Sequence, residues 1–464
     1  MKKYDLIIIG AGPGGYSAGE TAALYGLKTA IVEKEYFGGV CLNEGCIPTK
    51  ALLKSAKVLN YINHAKEFGI NLIEKPKLSW RLMQKRKQVV VDKLAKGVEY
   101  LLDSKKVDII RGEAELFDQN TVKVGKDLYK TEKIIIATGS SAIMLPLDGF
   151  KEAFEKGVLL TSSEALKLNR IPKSIIVIGG GVIGVEFAGL FAELGSKVTI
   201  LQGMPTILEM LDSSISKEMT RILQGKGIKI ILNALVKGMN GKDVIYEVNG
   251  ETKKIRADKT LISVGRKPRL IKTRNLNFIL TQRKQYEINE YMQTSIPNIY
   301  AIGDCSSPLM LAHVAYRQAD IAIAHMKGIN RGKFDLAKLP WCLYLYPEGA
   351  GVGKTEDELK KSGVDYLKAT YSMKHLGKAM ADGDDTYGFL KMMIGKKYGE
   401  ILGCHIVGAN ASDMIAEIVA VMELETTIYD LASISHPHPS MSEIIYELAK
   451  KLAYELDKTK GLVT

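Results

Sequence analysis

Cysteine is scarce in this chain, with five among 464 residues: Cys41, Cys46, Cys305, Cys342 and Cys404. They are too few, too scattered and odd in number for the disulfide scaffold of a secreted protein. A reducing cytoplasm is the expected compartment, and a local cysteine pair there points to catalysis before structure. Long apolar runs are lacking too, since none approaches the roughly 18 to 20 residues of a membrane span. No membrane partner is expected. The opening, MKKYDLIIIGAG, is interrupted by Asp5 and runs straight into glycines, which marks a first strand and not a secretion signal. The net charge of +12 comes from 64 basic and 52 acidic residues that are interspersed along most of the chain, and the densest cluster is Lys85-Arg86-Lys87. That pattern reads as a solvated basic surface, so no nucleic-acid partner is expected.

What is present is length and glycine. At 464 residues the chain exceeds one ordinary hydrophobic core, so two or three domains are expected. Residues Tyr4 to Ile9 are apolar and partly β-branched. Gly10-Ala11-Gly12-Pro13-Gly14-Gly15 follows, then a helical pattern through Leu24 and a second strand, Thr29 to Val32, ending at Glu33. The same order returns later: strand Ser174 to Ile178, glycines 179–184, a helix to about Leu194, and a strand from Lys197 to Leu201. Two nucleotide-binding units in one α/β chain are the expectation. Further strands are read at Ile134–Ala137, Thr260–Val264 and Ile299–Ile302, with a helix over Val314–Met326. After Asp335 the texture changes to strands at Phe389–Ile394 and Ile401–Val407 and helices at Ala411–Glu423 and Ser442–Glu455, a third, α+β domain.

In the first unit Gly10 permits the tight turn, Gly12 lets backbone approach a pyrophosphate, and Gly15 lets the helix pack closely. Glu33 stands where an acid accepts from ribose hydroxyls, and the helix start supplies N–H groups for phosphates. In the second unit Gly179, Gly181 and Gly184 repeat the pattern, but the residue after the second strand is Gln202. A carboxylate there would repel a 2′-phosphate and arginines would attract one; Gln202 does neither, so NAD is the expected nicotinamide cofactor and NADP is not excluded.

Cys41 and Cys46 have four residues between them in Cys41-Leu42-Asn43-Glu44-Gly45-Cys46-Ile47-Pro48-Thr49-Lys50. Five positions along an ideal helix span about 7.5 Å, more than a disulfide tolerates. A bent helix start, eased by Gly45 and Pro48, is therefore required for a reducible pair. Near the other end, His436-Pro437-His438-Pro439 leads into a helix. From the residues alone these histidines fit a surface feature or a metal site as well as a base. Further His or Cys ligands are lacking nearby, so no metal is expected.

The CLNEGCIPTK segment resembles the active-site signature of the flavin-dependent pyridine-nucleotide disulfide oxidoreductases, which include dihydrolipoamide dehydrogenase, glutathione reductase and mercuric reductase. The resemblance runs through Ala137-Thr138-Gly139-Ser140, Gly181-Val182-Ile183-Gly184-Val185-Glu186, Gly265-Arg266, Gly303-Asp304 and Met310-Leu311-Ala312-His313. It implies an FAD-binding domain in two parts, residues 1–145 and 271–335, around an NAD(P)-binding domain at 146–270. Residues 336–464 would form a dimerisation domain. FAD would lie against Gly10, Gly12, Gly15, Glu33, Lys50, Thr138, Gly139, Ser140, Gly303, Asp304, Leu311, Ala312 and His313. The nicotinamide cofactor would lie against Gly179, Gly181, Gly184, Gln202 and Gly265. By the same resemblance Cys46 faces the flavin, Cys41 exchanges with substrate, and Lys50 pairs with Glu186. His438 is the base, oriented by Glu443 and contributed by the other subunit of a homodimer, while His436 supports the fold.

Leu42-Asn43 and Ile47-Pro48-Thr49 lean towards the lipoamide enzymes within this family. The sequence ends Lys460-Gly461-Leu462-Val463-Thr464, without the vicinal cysteines of mercuric reductases. The expected activity is electron exchange between a dithiol such as dihydrolipoamide, free or on the lipoyl domain of a 2-oxoacid dehydrogenase complex, the Cys41–Cys46 disulfide, FAD and NAD(P). The alternatives are an NAD(P)H-dependent reductase of another small disulfide, an NADH oxidase, or a redox-sensing flavoprotein.

Overall fold

The computed structural model describes residues 2–74, 76–384 and 386–463. Its first sheet is built outward from Lys3–Ile9, whose residues Leu6 to Ile8 are fully buried. A strand buried on both faces is the expected position for such an uninterrupted apolar run. Thr29–Glu33 and Asp108–Arg111 continue the sheet in parallel on one side. On the other, Asp127–Ile136 runs parallel to it with Ile9 opposite Ile136. The first half of that long strand pairs with an antiparallel meander and its last residues with Ile299–Ala301. The chain thus returns to its first sheet after a long excursion, and Ile302 leads straight into the turn at Gly303-Asp304.

The excursion is a second, five-stranded parallel sheet. Its strand order is Lys229–Ile231, Lys197–Leu201, Ser174–Ile178, Lys259–Ile262, Leu159–Leu160, with a separate three-stranded antiparallel meander beside it. A short antiparallel pair, Ser140–Ala142 with Arg266–Pro268, ties the two sheets together. The last part of the chain forms a five-stranded antiparallel sheet in the order Trp341–Leu343, Glu348–Gly353, Ile401–Gly408, Phe389–Gly395, Tyr366–Ser372. The helix Glu443–Thr459 covers it with Ile444, Ile445, Leu448, Leu452 and Leu456, an apolar stripe at helical spacing. The expected α/β architecture, with two dinucleotide units and an α+β end, is the one observed. No helix among the described residues is long and apolar enough to cross a membrane.

Some elements differ from expectation. The last helix starts at Glu443 and runs to Thr459, four residues beyond the expected end, because Leu456 extends its buried stripe. The longest helix, Trp80–Ser104, was not expected; only Trp80, Lys87, Val91, Val98 and Leu102 are buried on it, amid many lysines.

The second sheet's unit is locked to the last domain by a buried ion cluster. Lys391 Nζ lies 2.9 and 3.0 Å from the two oxygens of Asp212 and 2.7 Å from Glu356 Oε2, and Glu356 N–H donates to Asp212. His405 lies beside them, with its Nε2 3.9 Å from Asp212 and its Nδ1 without a hydrogen-bond partner. Burial alone would raise the Asp212 carboxyl, but the Glu356 amide, Ser214 and Lys391 outweigh it and hold the group well below its usual range. Glu356 is held down likewise, its burial outweighed by Lys368, Lys391 and Lys360. Burial pulls His405 below its ordinary value.

The sign follows directly. The carboxylates contribute stability above their unfolded values near 3.8 and 4.5, and lose it as pH falls below these. His405, which folding keeps neutral, begins to cost stability as pH drops below its ordinary 6.5. Lys391→Met leaves two buried carboxylates facing each other and is expected to destabilise the fold by about 3–5 kcal/mol. Denaturant titration at pH 7 and pH 5 checks this: a change under about 1 kcal/mol at pH 7 would show that the cluster is not a lock.

Candidate active site

Both glycine turns are shaped by what a side chain would strike. At Gly10, φ +103°, a Cβ would come within 2.4 Å of Ala137 O, and at Gly179, also φ +103°, within 2.5 Å of Ser263 O. Gly15 and Gly184 press onto Gly10 O and Gly179 O across the helix start. Gly12 and Gly181 are different: they cap helices Pro13–Leu24 and Val182–Glu193 with extended backbone and no side-chain cap. Around Gly181 a Cβ meets nothing within 4 Å, and at Gly12 only Gly39 Cα at 3.9 Å. Each turn therefore leaves open space in front of uncapped helix N–H groups, which fits the pyrophosphate of a dinucleotide in both units. Glu33 Oε2 accepts from Ala11 N–H at 2.7 Å and its Oε1 from the amides of Lys34 and Glu35. That fixes the carboxylate at the carboxyl end of its strand, beside the first turn.

Gly38 N–H donates to Ala11 O, so the redox segment is laid against that same turn. The helix Gly39–Glu44 stops at Gly45, whose φ −142°, ψ −112° breaks the axis, and a new helix runs from Cys46 to Asn63. The expected bend is a true break. A Cβ on Gly45 would approach Val40 O to 2.9 Å. Cys41 and Cys46 come together across this break, where as thiols they hydrogen-bond to each other. The bond from Cys41 and then the Lys50 ammonium draw the Cys46 thiol down, while the Cys46 sulfur and burial push Cys41 up. The negative charge of a half-ionised pair thus settles on Cys46, the sulfur at the helix start.

Lys50, one turn beyond Cys46, donates to both oxygens of Glu186 at 3.0 and 2.8 Å. Glu186 is buried on the helix of the second glycine turn, so this pair joins the two nucleotide units. Two further contacts had no signal in the sequence. Tyr344 N–H donates to Glu186 Oε1, and the Tyr344 ring lies 4.4 Å from Lys50 Nζ. Tyr16 and Tyr316 meet hydroxyl to hydroxyl at 2.5 Å, 300 residues apart in the chain. Burial and each other's phenol raise Tyr16, with smaller contributions from Cys41 and Cys46, which places the tyrosines beside the redox pair.

Asp304 accepts from Ser140 Oγ at 2.5 Å, and Arg266 Nε donates to that hydroxyl at 2.7 Å. Arg266 was read only as part of a motif; the strand pairing of Ser140–Ala142 with Arg266–Pro268 puts it here. Gly303 N–H donates to Gln318, Thr138 Oγ to Arg269 O, and Gly139 and Gly265 take φ of +69° and +115°. Leu311 and Ala312 begin the helix that ends at Met326, and His313 Nε2 is bonded to Pro340 O, a contact that leaves it no obvious chemistry.

His438 Nδ1 is 2.8 Å from Glu443 Oε1, and Ser440 N–H donates to Oε2. The Ser440 amide and then His438 hold Glu443 below its usual range, so it stays a carboxylate at neutral pH. With Nδ1–H donating to it, Nε2 carries the free lone pair. The imidazole is 80% exposed, and among the described residues no hydrogen bond or ion pair links it to either cysteine. His436 is nearly buried between Glu417 and Ile434 O. Among the described residues no group of His, Cys, Asp or Glu could hold a metal.

Residues 4–319 match the model of the pyridine nucleotide-disulphide oxidoreductase family, and residues 339–449 that of its dimerisation domain. The chain belongs to the pyridine nucleotide-disulphide oxidoreductase family. It is 46% identical over 455 residues to the dihydrolipoyl dehydrogenase of Mycoplasma pneumoniae, covering 97% of this chain and 99% of that one. To a dihydrolipoyl dehydrogenase of Bacillus subtilis it is 40% identical over 471 residues, 96% and 97% of the two chains. The HOCl-induced flavoprotein disulfide reductase RclA of Escherichia coli superposes with a TM-score of 0.86 at 28% identity, over 97% of this chain and all of that one. This pyridine nucleotide-disulphide oxidoreductase is thus an FAD-dependent enzyme of dithiols and disulfides that uses a nicotinamide cofactor.

Proposed function

We propose that the enzyme is a dihydrolipoyl dehydrogenase, oxidising dihydrolipoamide or the lipoyl arm of a 2-oxoacid dehydrogenase complex with NAD as acceptor. The observation that carries this is the hydrogen-bonded Cys41 and Cys46 at the Gly45 break, laid against an open dinucleotide turn. In this reading FAD is held by the Gly10–Gly15 turn, Glu33, the Thr138–Ser140 turn, Asp304, and the helix start at Leu311–His313. Bound FAD supplies a two-electron acceptor between the dithiol and NAD.

The chain's own residues do the sulfur chemistry. The first substrate thiol gives its proton to His438 Nε2 and attacks Cys41 Sγ of the oxidised pair. The Cys41–Cys46 bond breaks, and Cys46 leaves as a thiolate. The second substrate sulfur attacks the mixed disulfide, expelling Cys41, which takes that sulfur's proton. The product is a closed disulfide, with Cys41 as thiol, Cys46 as thiolate and His438 protonated, so atoms and charge balance. Lys50 holds positive charge four residues from the Cys46 thiolate, and Glu186 offsets it. The exposed His438–Glu443 pair, bonded to neither cysteine of its own chain among the described residues, supports a homodimer in which each subunit supplies the base for its partner.

NAD reduction by dihydrolipoamide, measured with FAD-saturated protein, tests the reading. Turnover on the order of 10 per second or faster is expected. Turnover with glutathione or another small disulfide and NAD(P)H, but none with lipoamide, would replace this substrate assignment.

A further inference from the structure

The two nucleotide turns share one hydrogen bond, from the turn to the residue that ends the second strand, and differ in the chemistry of that residue. In the first unit Ala11 N–H donates to Glu33, 22 residues on; in the second Gly180 N–H donates to Gln202 Oε1, also 22 residues on, at 2.9 Å. Gln202 occupies the acid's place and keeps its bond to the turn. It does not keep the charge.

The surrounding loop is fitted to an amide. Gln202 Nε2 donates to Thr206 O at 3.0 Å, while its oxygen accepts from Gly180. One partner is a donor and the other an acceptor, so the amide orientation is fixed: a flipped group would set N–H against N–H and oxygen against oxygen. A carboxylate here would face the Thr206 carbonyl with no proton between them. In the first unit the loop turns the other way, and the amides of Lys34 and Glu35 both point at Glu33. The loop after Gln202 is held in its shape by Ala234 N–H on Gln202 O and Asn233 N–H on Met204 O. Of the bonding capacity of Gln202, one N–H and one oxygen lone pair remain, and the residue is half-buried just past the carboxyl end of its strand.

We infer that the second nucleotide site of this enzyme does not discriminate strongly between a 2′-hydroxyl and a 2′-phosphate, so that NADP is accepted beside NAD. The inference rests on the proposed assignment of the second turn to the nicotinamide cofactor. A fixed carboxylate rejects the 2′-phosphate by charge; Gln202 removes that repulsion, and its free N–H can donate to either group. No arginine or lysine stands at residues 203–206 to reward the phosphate, so the preference is not inverted.

Calorimetric titration of the FAD-loaded enzyme with NAD⁺ and NADP⁺ reads this without turnover. The two dissociation constants are expected to lie within about tenfold of each other. Gln202→Glu should weaken NADP⁺ relative to NAD⁺ by a further factor of about ten or more. Gln202→Leu also breaks the bonds to Gly180 and Thr206 but adds no charge, and it should leave the ratio within about threefold of wild type. A wild-type ratio beyond tenfold overturns the inference, as does a Gln202→Glu ratio that does not move. A Gln202→Leu ratio as high as that of Gln202→Glu overturns it too, by tracing the effect to loop shape. Absence of binding by both nucleotides defeats this inference and the proposed function together, whereas rapid lipoamide turnover with a large NAD preference defeats this inference alone.

Discussion

Cys41→Ser is expected to lower dihydrolipoamide oxidation by roughly 10⁴-fold or more, because a serine hydroxyl can form no disulfide and nothing else in the site replaces the sulfur. The protein should still fold and bind flavin. Cys41 is only partly buried, serine is nearly isosteric, and the Gly45 break that positions the pair does not depend on it. Electron passage from NADH to an artificial acceptor such as ferricyanide bypasses the sulfurs and should survive within a few fold. The two assays on one preparation separate a lost sulfur from a lost fold. Dithiol turnover within tenfold of wild type, after thiols from contaminating protein are excluded, would sink the assignment of Cys41 as the exchanging sulfur. Cys46→Ser supplies a contrast. It leaves the exchanging thiol but removes the sulfur on which the negative charge settles, so Cys41 should trap the substrate as a stable mixed disulfide visible by mass.

The parts of this molecule that the sequence made legible are those whose physical requirement is local. A strand, a turn that tolerates no Cβ, and a helix start must follow one another within a few residues, so both nucleotide turns and the strands feeding them could be placed from the residues alone. The break between Cys41 and Cys46 was legible for the same reason: a helix geometry forbids the pairing, and Gly45 resolves it. What is not local left no trace. Lys50 and Glu186 are 136 residues apart, and only a family resemblance joined them. The Tyr16–Tyr316 hydroxyl pair joins two parts of one domain that lie 300 residues apart in the chain, Tyr344 over Lys50 and the Asp212–Lys391–Glu356 cluster are made by the docking of one domain on another, and no periodicity encodes either. The helix Trp80–Ser104 escaped for a different reason: its apolar residues are spread over more than one face and interspersed with lysines, and only in the fold do Trp80, Val91, Val98 and Leu102 emerge as the buried ones. Gln202 was visible as an anomaly in the sequence, but its reason, a loop that presents a carbonyl where an acid would need a donor, is a property of the folded turn.

Replacing His438 by glutamine is the second large effect, an expected loss of about 10²–10⁴ in kcat, the usual worth of a positioned general base. Glutamine can keep a hydrogen bond to Glu443 but cannot take a proton, so the pH dependence of kcat/KM should flatten while the ferricyanide reaction is unchanged. Glu443→Gln is milder, about 10- to 100-fold, since an amide oxygen still accepts from Nδ1–H but no longer stabilises the imidazolium. The placement of His438 makes a sharper experiment possible. If each active site takes Cys41 from one subunit and His438 from the other, a mixed dimer of Cys41→Ser with Cys41-intact His438→Gln contains one site with both defects and one with neither. If both groups come from the same subunit, each site in the mixed dimer carries one defect. Unfolding and refolding an equal mixture of the two inactive variants gives half mixed dimers at random. The composite site then predicts recovery of about a quarter of wild-type activity, and the single-subunit site predicts none. The imidazole is exposed, its carboxylate is already in place and no cysteine is bonded to it among the described residues, and recovery in the mixed dimer is what would give that exposed pair its partner.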